Sequence, residues 1–187
     1  MKFEQPLNKA FKDKSIIRIY TEEPDADCYD GLIVCLTDEF LVLAQELDYE
    51  FEGFVMIPRD QIDSYCQTPV EAFSQKLMTF TGDIERLTTP EWLVNCTSFD
   101  DFFSGILSNN HWTCSAWVCP SCDNIHSDVG MIQSYESGAI SVETYDKTGT
   151  STGEMGWSMK KIYSIEFGAP YLLKLGQFLE MNHSTIQ

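Results

Sequence analysis

The chain has 187 residues, with 12 Lys and Arg against 29 Asp and Glu, a net charge of −17 at pH 7, and 43% hydrophobic residues. That is enough apolar material for one domain or two small ones, which excludes a disordered or collagen-like chain. The sign of the charge excludes nucleic acid and anionic lipid surfaces as partners, because both are bound chiefly through Lys and Arg that neutralise phosphates.

In chain order, Phe3, Leu7, Ala10 and Phe11 recur at helical spacing, and the β-branched SIIRIY (15–20) after them predicts a strand. An acidic loop, EEPDADCYDG (22–31), follows. GLIVCL (31–36) and FLVLAQEL (40–47) are apolar runs of strand length around the turn Thr37-Asp38-Glu39, and FVMIP (54–58) and a short strand over 62–66 come next. This makes five strands in about fifty residues. Pro69 opens a helix that places Val70, Phe73, Leu77 and Phe80 on one apolar face. The stretch 81–97 is a connector, rich in Thr and holding Gly82 and Pro90, whose Trp92, Leu93 and Val94 predict that it packs.

The same order then returns. Ser98 caps a helix carrying Phe99, Phe102, Phe103, Ile106 and Leu107, and a strand over 112–118 follows. The loop CPSCDNIHSDVG (119–130) replaces the acidic loop. Strands over 130–135 and 139–145 flank Glu136-Ser137-Gly138, and a Gly-rich turn, KTGTSTGEMG (147–156), leads into WSM and KKIYSIEF. At an offset of 99, Gly31 meets Gly130, Ile33 meets Ile132 and Leu41 meets Ile140. At an offset of 100, Gly53 meets Gly153, Ile62 meets Ile162 and Ser64 meets Ser164. A small twisted sheet hides its edges best by closing on itself. The expected fold is therefore mainly β with accessory α: two tandem small five-stranded barrels, over 1–80 and 98–187, each flanked by short helices.

GLIVCLTDEFLVL (31–43) followed by GFVMIPRDQI (53–62) resembles the two consecutive motifs of Sm-like small barrels, a Gly-led strand, an Asp turn and a Leu strand, then an Ile-Arg-Gly-x-x-Ile element. It is similar also to uncharacterised bacterial proteins built on SH3-like barrels. The resemblance implies the barrel fold in both halves. It does not bring RNA binding with it, since the family's Asn is missing from the first motif and Pro58-Arg59 stands where the family has Arg-Gly. In the second half the corresponding stretch is Ser158-Met159-Lys160-Lys161.

Cys119 and Cys122 in a Cys-x-x-Cys turn, with His126 nearby, form the candidate metal site, a structural zinc being the cofactor such spacing suits. No second Cys-x-x-Cys exists, and an unremarkable thiol pair on a turn is the competing reading. The loop after it, with its acids, speaks against a redox dithiol. Three histidines (111, 126 and 183) are the available imidazoles, with His111 and His183 expected at the surface. No nucleophile elbow, phosphate loop, dinucleotide fingerprint or His-Glu-x-x-His occurs, so no enzyme is expected. Glu22, Glu23, Asp25 and Asp27, together with Trp117, are the candidate partner-binding residues. Trp112 and Trp117 differ in parity, so a regular strand points them to opposite sides.

The start, MKFEQPLNKAFKDK, has no apolar stretch of signal-peptide length, which gives a cytoplasmic expectation, with the seven cysteines as reduced thiols. No apolar run reaches the length of a membrane span. The functional expectation is a non-catalytic binding or assembly module with an acidic surface and a protein partner. The alternative is an inhibitor or immunity-type protein that binds a basic protein.

Overall fold

The computed structural model describes residues 4–21, 28–119, 125–146 and 148–184. The chain divides into two compact units, Met1–Phe102 and Phe103–Gln187. It is mainly β with short helices, and the strands within each unit pair antiparallel.

The first unit starts with helix α1 (Glu4–Lys12), then β1 (Ile16–Thr21), β2 (Tyr29–Leu36), β3 (Phe40–Leu47) and β4 (Glu50–Pro58). A 3-10 turn (Arg59–Gln61) leads into β5 (Ile62–Cys66), followed by α2 (Pro69–Thr81), α3 (Asp83–Arg86) and α4 (Glu91–Val94). Its strands lie in the order β5-β1-β2-β3-β4. The core joins Leu7 and Ala10 of α1 to Ile17, Ile19, Ile33, Leu41, Leu43, Val55, Ile57 and Ile62 of all five strands. One helix therefore covers an interior that every strand lines.

The second unit contains β6 (Trp112–Val118), β7 (Ile125–Glu136), β8 (Ala139–Tyr145), β9 (Ser151–Ser158), a 3-10 turn (Met159–Lys161), β10 (Ile162–Phe167) and α6 (Pro170–Ser184). Its order is β10-β6-β7-β8-β9. Trp112, Ala169, Leu172 and Leu179 form one core cluster, with Cys114, Val129, Met131, Tyr145 and Leu175 against it. Helix α5 (Phe99–Ser108) carries the boundary, Phe102 counting with the first unit and Phe103 with the second.

Strand order and register coincide between the units. Gly31 pairs with Gln45 and Ile33 with Leu43, and after a shift Cys35 pairs with Val42. At an offset of 99, Gly130 pairs with Thr144 and Ile132 with Val142, and after a shift at the same place Ser134 pairs with Ser141. Both glycines have the same physical reason: a Cβ on Gly31 would overlap the carbonyl oxygen of Ala44, and one on Gly130 that of Glu143.

The structure departs from the pattern expected of the sequence at several places. Residues 125–129, expected in a loop, are strand, so His126 and Asp128 sit on β7, where Ala116↔Ser127 and Trp117↔His126 pairing extends the ladder. The Gly-rich stretch is strand from Ser151 onward, because its backbone pairs with β8 although its side chains offer little to bury. His111 is half-buried rather than exposed: its ring meets Phe167 edge-on at 5.7 Å, and burial lowers its pKa. On α2 the helix is where Pro69 places it, but the stripe expected to pack faces outward. Val70, Phe73 and Phe80 are 59, 55 and 88% exposed, while Glu71, Ser74 and Met78 are buried.

Candidate functional site

Successive helix residues are about 100° apart, so the buried stripe of α2 is the expected one rotated by a single position. A polar anchor sets that rotation. Thr68 and Glu71 form a capping box, in which the Thr68 N–H donates to Glu71 Oε2 at 2.5 Å and the Val70 N–H to Thr68 Oγ1 at 3.2 Å. Glu71 Oε1 lies 3.1 Å from the Arg18 guanidinium on β1, which also donates to both carboxylate oxygens of Asp30 on β2, at 2.7 and 2.6 Å. Burial opposes ionisation of Glu71, but the Thr68 hydrogen bonds and the Arg18 charge outweigh it and hold its pKa below the ordinary range. Drawing Glu71 inward turns its neighbours Val70 and Phe73 outward.

The second unit builds the corresponding place without the guanidinium, with Glu166 on β10 paired to Cys114 and its pKa raised by burial. Cys114 pairs with Val129 across β6 and β7 as Arg18 pairs with Asp30 across β1 and β2. Leu172, third residue of α6 as Glu71 is of α2, is buried among them.

Beside α2 the hairpin between β3 and β4 turns on Asp48 and Tyr49, whose φ angles of 49° and 70° are left-handed. Two-residue hairpin turns of this kind favour Asn or Asp followed by Gly. Tyrosine in the second position is strained. The second unit has Gly149, φ 78°, four residues before Gly153 as Tyr49 is four before Gly53. The Tyr49 N–H donates to Glu46 Oε1 at 2.7 Å, and its ring meets Phe73 edge-on at 5.9 Å. Burial raises the Glu46 pKa, opposed by that N–H and reinforced by the charges of Asp30, Asp48 and Glu71.

Between this hairpin and the end of α2 runs an open groove of about 550 Å³. Phe51, Leu77 and Leu87 give it apolar surface, and Asp48, Glu50 and Asp83 give it negative charge. Among the described lining residues the cation is Arg86, bound to Asp83 at 2.6 Å. The groove thus combines apolar surface with unbalanced acid.

Sequence reasoning placed Leu77 and Phe73 on the helix that forms this wall but missed Tyr49, Phe51 and Leu87. A tyrosine after Asp in a two-residue turn, where glycine is the easy choice, was the available signal. Of the predicted partner residues, Glu22, Glu23, Asp25 and Asp27 lie outside the described residues. Trp117 is half-buried: it stacks on His126 at 5.3 Å and Trp157 at 5.1 Å and donates from Nε1 to Asp128 at 2.7 Å. Trp112 instead packs against Leu172 and Leu179 of α6, so the two tryptophans of β6 serve different neighbours. Of the predicted metal ligands, Cys119 follows β6, His126 is on β7, and Cys122 lies outside the described residues. Among the described residues no three His, Cys, Asp or Glu side chains form a group able to hold a metal ion. Likewise no helix among them is long and apolar enough to cross a membrane.

Compared with protein-family models, curated proteins and solved structures, the chain matches none.

Proposed function

We propose that the chain is a non-catalytic binding module, built as a tandem of Sm-like small barrels, whose first unit takes a basic, amphipathic segment of a protein partner in the groove beside α2. One observation carries this reading: Tyr49 is held in strained left-handed geometry at the groove, against a Phe73 that the helix turns outward. Strain kept at an exposed aromatic that the core does not need is commonly the mark of a contact residue. Apolar surface of Phe51, Leu77 and Leu87 suits aliphatic anchors, and the acids Asp48 and Glu50 suit lysines or arginines beside them.

The test is selection from a random peptide library on the intact protein, followed by chemical-shift mapping of the best binder. Basic sequences with spaced aliphatic residues, perturbing residues 48–51 and 77–88, support the reading. Acidic or nucleic-acid-like binders, or shifts confined to the second unit, refute it. A second reading, an inhibitor whose acidic surface covers a basic protein, draws on the net charge of −17. Its salt dependence separates it from the first.

A further inference from the structure

Two buried cysteines of the first unit have no part in the groove. Cys35 lies on β2 and Cys96 two residues after α4, at 5 and 6% exposure, and α4 packs on β2. Cys35 Sγ donates to the Cys96 carbonyl at 3.6 Å, and the Cys96 thiol to the Ser98 carbonyl at 3.6 Å. A pocket of about 270 Å³ reaches Cys96 from outside, past Leu36, Thr37, Arg59 and Thr97.

We propose that Cys35 and Cys96 are a redox modification site, closing reversibly to a disulfide under hydrogen peroxide and tying the segment after α4 to β2. The pairing is long-range, 61 positions along the chain, so chance neighbours in sequence do not account for it. The two thiols are also chemically unequal. The Cys96 hydrogen bond draws Cys35 below the ordinary thiol range, against burial, while Cys35 and burial push Cys96 above it. Either thiol can attack, with the other resolving, and the atoms balance identically in the two orders.

In the first step of the order that starts at Cys35, its thiolate attacks one peroxide oxygen. The O–O bond breaks, hydroxide leaves, and Cys35 becomes a sulfenic acid. In the second, the Cys96 sulfur attacks the Cys35 sulfur, and the sulfenic hydroxyl leaves with the Cys96 proton as water. Two electrons pass from the thiols to the peroxide. A thiol reductant returns both residues to thiols by exchange.

The reduced full-length protein, titrated with hydrogen peroxide, alkylated and digested without reductant, decides the matter by mass spectrometry. A Cys35–Cys96 linked peptide, lighter than its two reduced parts by two hydrogens and lost on adding dithiothreitol, is expected. It should persist in Cys66→Ala and vanish in Cys96→Ala. The oxidised protein should also be cut by protease within residues 83–95 at least about tenfold more slowly than the reduced one. Should Cys96→Ala fail to fold, the wild type alone suffices, because Cys35 and Cys96 must lose reactivity to alkylation together. Oxidised protein in which both remain thiols, in which either pairs with another cysteine, or in which Cys35 passes to sulfinic acid unlinked overturns the proposal.

Discussion

Tyr49 has two opposing effects on stability. Relief of left-handed strain in Tyr49→Gly is worth about 1 kcal/mol, and the lost edge contact with Phe73 about the same. The variant should therefore unfold in urea within about 1 kcal/mol of wild type, yet bind the selected peptide at least about tenfold more weakly if its ring is a contact. Unchanged affinity would leave the strain without a purpose. Glu71 is the reverse case, a side chain kept for the fold. Its folded pKa lies below the ordinary 4.5, so the stability it contributes is present above that value and lost as pH falls through the lowered one. Glu71→Gln should cost about 1–3 kcal/mol at pH 7 and flatten the stability curve on the acid side of that value, both readable from urea titrations at a series of pH values.

At the scale of elements, α2 separates packing from function by one residue of rotation. Met78 is fully buried and Phe80 is 88% exposed. Met78→Ala should cost about 2–5 kcal/mol, whereas Phe80→Ser and Phe73→Asp should change stability by less than about 1 kcal/mol, and Phe73→Asp should weaken peptide binding. A helix with the expected stripe buried would give the opposite ordering of stabilities. The strands make a matching pair of predictions. Gly31→Ala and Gly130→Ala each drive a methyl into a backbone carbonyl of the neighbouring strand, so each should lose about 1–3 kcal/mol, as measured by thermal unfolding. These glycines were legible in the sequence because each opens an apolar run after a polar loop. The strands that begin at Ile125 and Ser151 were not, since each owes its conformation to backbone pairing with β6 and with β8 rather than to its own side chains.

For the whole molecule, the charge of −17 sets the long-range field. Peptide binding carried by Phe51, Leu77 and Leu87 should survive an increase from about 0.05 to 0.5 M NaCl with less than about tenfold loss, because apolar contacts are not screened. A loss of two orders of magnitude or more would favour the acidic inhibitor instead. By itself the sequence determined most of the strands, the helices opened by Pro69 and Ser98, the recurrence of one pattern at offsets of 99 and 100, and the sign of the net charge, because each follows from neighbours in the chain or from composition. Only the tertiary structure decided which stripe of α2 is buried, and hence where Phe73 and Tyr49 meet. Arg18, Asp30 and Glu71 are brought together from three elements, and a pairing so distant in sequence is not encoded in local hydrophobic periodicity.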